Sequence, residues 1–194
     1  TITVPSGVEA GDFMVLFDIA FNTSTTPTLV TASGFTAVED GNGVNGRIAT
    51  SRKQVLSSAD AGTTLTGMNG NSSNNKILLV FRGTSGYGFD TSSFANGDTE
   101  ISASALGATS IGPSSLDSYA SGITVTACAF YGSSGITTGT DITFTDATFV
   151  QGVSNVFYAG YKIYTQATTN AQTTGIAMTD RGTNGFSLGY FLGY

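Results

Sequence analysis

Residues Phe13 to Phe21 alternate with a period of two. Phe13, Val15, Phe17, Ile19 and Phe21 fall on one side of an extended chain, and Met14, Leu16, Asp18 and Ala20 on the other. That period belongs to a β-strand. Five large apolar side chains on one face must be buried, so the stretch demands a sheet and a layer that covers it. The C-terminal run repeats the demand: Phe186, Leu188, Tyr190, Leu192 and Tyr194 alternate with Ser187, Gly189, Phe191 and Gly193. Further strands are expected near residues 33–39, 46–56, 63–68, 76–82, 99–106, 142–150, 156–166 and 174–179. Turn chemistry separates them at Asp40-Gly41-Asn42-Gly43, Asn69-Gly70-Asn71 and Thr183-Asn184-Gly185.

Composition points the same way. Hydrophobic residues make up 40% of the 194, enough for a core, while charged residues are only 10%. Thr, Ser, Gly and Asn take the place of charge, and they suit strands and turns better than helices. The expected fold is all-β: an antiparallel β-sandwich of jelly-roll type with about ten strands.

The order of elements recurs at an offset of about 110 residues. Phe13–Phe21 matches Ile123–Tyr131, and the strand around Phe35 matches that around Phe149. Arg52-Lys53-Gln54-Val55 matches Tyr161-Lys162-Ile163-Tyr164. Leu65 and Met68 match Ile176 and Met178, and the run ending at Phe81 matches the run around Tyr190. Residues 1–194 are therefore expected to form one domain of two related halves, about 1–83 and 111–194. A crossing segment, 84–110, with one short strand, joins them. A single sheet from one half would leave its apolar face uncovered.

Several chemistries lack their reagents. There is no histidine, which removes His-dependent triads and His-bearing zinc sites. A Ser–Lys pair needs a buried lysine, and Lys53, Lys76 and Lys162 are expected to face solvent. A carboxylate pair for glycoside cleavage has a pool in Asp12, Asp18, Glu39, Asp40, Asp98, Glu100, Asp141 and Asp146. Most of these sit beside Gly, Asn or Thr and read as turn formers. Asp18 is the odd one, inside an apolar strand; it is expected to point outward with Ala20 or to pair with Arg47 or Arg52. No catalytic residue is assigned, and no cofactor is expected.

Oxygen ligands are all the chain offers a metal, so calcium is the ion to consider, with Asp40, Asp98 and Glu100 as candidates. Solvated turns explain the same residues. The net charge of −6, without a basic stripe, speaks against nucleic acid as a partner. Apolar runs such as Ile77–Phe81 are one strand long, far short of the ~20 residues a membrane helix needs, and no membrane partner is expected. Cys128, the single cysteine, lies in an apolar run and reads as a buried side chain. Asn22-Thr23-Ser24 and Asn71-Ser72-Ser73 fit the glycosylation pattern, one that arises readily by chance in a chain so rich in Asn and Ser.

Aromatic residues are many for so few charges: 13 Phe and eight Tyr. Phe157, Tyr158, Tyr161 and Tyr164 crowd one strand on both faces, and Phe191 stands on the minor face of the last strand. These five are candidates for contact with another subunit; a second core layer inside the same chain accounts for them equally well.

The opening Val4-Pro5-Ser6-Gly7-Val8-Glu9-Ala10-Gly11-Asp12 launches the apolar strand from Phe13. A Pro/Thr-rich loop leads to Ser33-Gly34-Phe35-Thr36, a strand with Arg52-Lys53 at its centre, and Ala61-Gly62-Thr63-Thr64. This succession resembles β-rich virion structural proteins of tailed bacteriophages and prophages over about the first 85 residues. Phe35 stands where that pattern often has tryptophan. The resemblance implies a non-enzymatic structural virion protein, most readily a capsid decoration (cement) protein, with a tail-associated module as the variant. It implies a place on the particle surface after synthesis in the host cytoplasm. Its partners would be other copies of itself, as a homotrimer on threefold positions, and a major capsid or tail protein. A carbohydrate-binding or adhesin module is the alternative.

Overall fold

The structure, a computed structural model, describes residues 1–43, 45–71 and 73–82 and, beyond them, the strands of the second half. The strands are β1 (Ile2–Thr3), β2 (Phe13–Phe21), β3 (Thr36–Gly43), β4 (Gly46–Gln54), β5 (Thr64–Leu65), β6 (Ser73–Phe81), β7 (Thr99–Ser102), β8 (Thr109–Ile111), β9 (Gly122–Gly132), β10 (Gly135–Ile136), β11 (Ile142–Thr145), β12 (Thr148–Gln151), β13 (Phe157–Tyr164), β14 (Thr174–Met178) and β15 (Asn184–Gly193). One 3-10 turn, Ser58–Asp60, is capped by the Ser57 hydroxyl, which accepts from the Ala59 N–H. The fold is all-β, and its strands pair antiparallel. Fifteen strands among the described residues exceed the ten or so expected. β1, β5 and β10 are two-residue ladders, too short to leave a period-two signal.

The first-half sheet has the order β3-β4-β2-β6, with β2 at its centre. β2 pairs along its whole length with β4 on one side and β6 on the other, from Phe13 opposite Gln54 and Phe81 to Phe21 opposite Gly46 and Ser73. All nine of its residues are buried, so both faces are covered, not one. Met14 and Leu16 lie under Val4, Val8, Ala32, Val55 and Leu65, with Leu78 and Val80 of β6 against the same cluster. The N-terminal segment and the 55–65 stretch thus cover one face of the sheet. Phe81, in register with Phe13, serves the other, where its ring meets Tyr161 of β13 edge-on at 5.4 Å between centroids. Edge-to-face packing suits the ring quadrupoles.

Six strands of the first half have counterparts in the second. The second sheet runs β12-β13-β9-β15-β7, with β10 on β9, so β12-β13-β9-β15 repeats β3-β4-β2-β6. The small sheet β1-β5 has its likeness in β8-β14, to which β11 adds a strand. Registers correspond as well. Met14 stands opposite Lys53, and Thr124 opposite Lys162; Leu79 stands opposite Val15, and Tyr190 opposite Val125. The contacts between sheets are reciprocal: β6 touches β13, and their counterparts β15 and β4 touch each other.

Some boundaries moved. Asp40-Gly41-Asn42-Gly43 is the end of β3, not a turn; these residues pair with Ala49, Ile48, Arg47 and Gly46. The chain reverses beyond Gly43, and Asn45 takes the left-handed conformation at φ 67°. The strand expected at 33–39 starts at Thr36 and carries a bulge between Ala37 and Glu39. Residues 66–68 are loop, so β5 is shorter than expected, while β6 starts earlier, at Ser73. The strand expected at 142–150 is two strands in different sheets, β11 and β12. Asn184 and Gly185 open β15 and do not turn.

Candidate functional site

Every acid whose side chain is described faces a base. Glu9 and Asp12 face Arg82, Asp18 faces Lys76, Asp40 faces Arg47, and Asp60 faces Lys53. The described acids are thus each set beside a base.

The most enclosed pair is Asp18–Lys76. Asp18 lies on β2 directly opposite Lys76 on β6, on the face shared with Leu16 and Ala20. Asp18 is 4% exposed and Lys76 6%. Lys76 Nζ donates to Asp18 Oδ1 at 2.7 Å and to the Met68 carbonyl at 3.0 Å, while the Met68 N–H donates to Asp18 Oδ2 at 2.8 Å. Both backbone groups of Met68 are therefore held by one ion pair. Gly67 has no room for a Cβ, because the Asp18 carboxylate fills that space; at Gly70 the backbone of Phe21 does so. Asn71 and Asn22 complete the attachment: the Asn71 N–H donates to Asn22 Oδ1, and the Thr23 N–H to Asn71 Oδ1, each at 2.8 Å. Loop 66–71 is fastened across the end of β2 by these contacts. Burial pushes the Asp18 carboxyl up from its ordinary value, and Lys76 and the Met68 N–H draw it back only in part. The expectations that Asp18 points outward or pairs with Arg47 or Arg52, and that Lys76 faces solvent, are both corrected here. The partner is 58 residues away in sequence, and an antiparallel register brings it alongside.

The second cluster closes the entry to β2. Arg82 Nε and Nη2 donate to Asp12 Oδ1 and Oδ2 at 2.8 Å each, and Nη2 donates to the Gly7 carbonyl at 2.7 Å. The Glu9 N–H donates to Asp12 Oδ2 at 2.9 Å. Hydrogen bonding from Arg82 holds the Asp12 carboxyl below its ordinary value, against the opposing pull of burial. The same bond raises the Arg82 guanidinium. Pro5, Gly7, Val8, Asp12, Val80 and Arg82 line a shallow cleft of about 290 Å³. Its guanidinium is turned on the protein itself, which leaves the cleft a largely apolar floor and little to grip a polar ligand.

The remaining sequence candidates disperse. Asp40 sits 3.6 Å from Arg47, whose Nε is buried without a hydrogen bond. Lys53 on β4 bonds Asp60 in the 3-10 turn. Glu100 stands in β7 opposite Ser187. Asp98, Asp141 and Asp146 lie outside the described residues, as do the side chains of Glu39 and Lys162. Among the described residues no three metal-ligating side chains come together, and no helix is long and apolar enough to cross a membrane. Cys128 stands opposite Tyr158 and Ser187. Of the five aromatic candidates, Tyr161 is half-buried against Phe81 of its own chain. Phe157 and Ala129 share a register position, as do Tyr164 and Gly122, and Phe191 and Thr124; the side chains of Phe157, Tyr158, Tyr164 and Phe191 lie outside the described residues.

Sequence reasoning passed over the Arg82 cleft and the Asn22–Asn71 exchange. The second had a signal: each asparagine stands at the end of an apolar strand or just before one, and strand pairing sets the two side by side. The fold is that of an all-β protein of antiparallel sheets, and no family model, curated protein or solved structure matches the chain.

Proposed function

We propose that this chain is a non-enzymatic structural protein of a virion, a decoration or cement protein on the head of a tailed phage. It acts by contact. Its two sheets stack as one β-sandwich of related halves about a pseudo-twofold axis, and its outer surfaces bind other copies and a shell protein. Repetition over a lattice then turns modest single contacts into firm attachment. The reciprocal contacts of β6 with β13 and β15 with β4 support the sandwich.

The observation that carries the reading is that all five described acids stand beside bases, with Asp12, Asp18 and Asp60 in hydrogen bonds that fasten the fold. Carboxylates so held by a base are not free to exchange protons with a substrate. The carbohydrate-binding alternative wants exposed rings, and Tyr161 has its ring against Phe81.

The test is attachment. The purified chain is incubated with expanded, undecorated tailed-phage heads and sedimented, and its mass alone is measured by light scattering. Saturable co-sedimentation at a fixed number of copies per head is expected, with a discrete oligomer, a trimer, in solution. A chain that stays in the supernatant with heads whose own decoration protein has been stripped, and that binds a glycan array instead, would remove the proposal in favour of the adhesin.

A further inference from the structure

The two halves share a strand order, which poses a problem of recognition during folding. β2 and β9 are both central strands, and β6 and β15 are both their neighbours. Backbone hydrogen bonding does not distinguish β6 from β15 as a partner for β2. The corresponding registers show where the side chains do. Asp18 stands opposite Ala49 and Lys76; in the second sheet the matching row is Cys128 opposite Tyr158 and Ser187. The rows correspond because each lies one position beyond matched pairs on the same strands: Phe17 with Ile77, and Ala127 with Leu188. The charged pair of the first half thus has Cys128 and Ser187 in its place in the second.

We propose that the Asp18–Lys76 pair is a pairing key that lets β6 settle beside β2 and rejects exchange with β15, within one chain or between two copies folding together. An exchanged arrangement sets Lys76 against Cys128 and Asp18 against Ser187. Lys76 then takes a row that Glu100 of β7 flanks on the other side, but Asp18 is left buried without its counter-charge, which folded proteins tolerate poorly. It also strips both backbone groups of Met68 of their partners, releasing loop 66–71. Lys76 is well placed for this role. β6 is the outer strand of its sheet, and a lysine directed inward from an outer strand is a known obstacle to wrong strand pairing. A chain of two similar halves needs such an obstacle more than most, and one keyed half suffices, since exchange always disturbs both.

The correspondence of the two sheets carries this inference, which is independent of any role on a virion. The test uses the full chain with two reporter cysteines, Asn74→Cys and Phe130→Cys. In the native arrangement position 74 faces Ala20 and position 130 faces Gly185. With β6 beside β9 in the register of β15, positions 74 and 130 face each other, close enough for a disulfide. The chain is unfolded, refolded under oxidising conditions, and all recovered material, soluble and pelleted, is mapped by mass spectrometry. The reporter chain alone is expected to show almost no 74–130 link. Adding Asp18→Ala with Lys76→Leu removes the key, and the link is expected to rise several-fold. Adding Cys128→Asp with Ser187→Lys instead gives both halves the same key and is expected to raise it as well, with the first pair intact. A link equally abundant in all three chains, or absent from all three, overturns the proposal whether or not the variants keep the native fold.

Discussion

Replacing Asp18 alone should be among the most damaging single changes in the first half. The carboxylate accepts from Lys76 Nζ at 2.7 Å and from the Met68 N–H at 2.8 Å. Asp18→Ala leaves an ammonium whose side chain is 2% exposed with one neutral acceptor, the Met68 carbonyl at 3.0 Å. Breaking a buried pair from one side costs about 3–5 kcal/mol, and the orphaned Met68 N–H adds about 1 kcal/mol. The expected loss of about 5 kcal/mol is a large part of the stability of an ordinary domain. Urea unfolding followed by far-ultraviolet circular dichroism measures it; with a slope of about 2 kcal/mol per molar, the midpoint falls by about 2.5 M. Asp18→Ala with Lys76→Leu removes both charges and should recover most of the loss, ending within about 2 kcal/mol of the parent. A single variant that loses less than about 1 kcal/mol, or a double variant no better than the single, would refute the reasoning, because each outcome means the charge was not confined.

Three further outcomes are expected. Gly70→Ala should cost about 3 kcal/mol, since its Cβ would overlap the backbone of Phe21, while Gly7→Ala, with open space around it, should be near neutral; thermal melts of the two variants compare them. Asp12 should govern part of the stability in acid. Asp12, held low, contributes stability present above its unfolded value and lost as pH falls through its folded value, so Asp12→Asn should flatten the acid limb below pH 3.8. Urea midpoints of Asp12→Asn and the parent compared across about pH 2.5–6, which spans the ordinary carboxylate value, check this. A double-mutant cycle of Phe81→Leu and Tyr161→Leu should give a coupling of about 1 kcal/mol, as an edge-on ring pair does; additivity would mean that the rings do not meet.

What the sequence made legible follows from which forces act locally. The alternation at Phe13–Phe21 announced its strand because each residue reports its own burial. It hid the covering of the second face, because Asp18 within that face reads as an exit to solvent, and its neutralising lysine is remote along the chain. The turn at Asp40–Gly43 was misplaced for a related reason. β3 is an outer strand whose last residues are small and polar, the same residues that make turns, and only the pairing with β4 distinguishes the two. The matching of strand around Phe13 with strand around Ile123, and of Lys53 with Lys162, was visible as an order of elements and coincides with the pairing seen in the sheets. The departures from it, Asp18 and Lys76 against Cys128 and Ser187, could not be weighed until registers set them opposite each other.

β2 is held by a neighbour on each edge and roofed on both faces. Its amides are therefore reached by solvent only when a whole neighbouring strand, β4 or β6, comes away. Deuterium should enter this strand later than the outer strands β3 and β6, and a protease that nicks the loops should leave residues 13–21 within a resistant fragment.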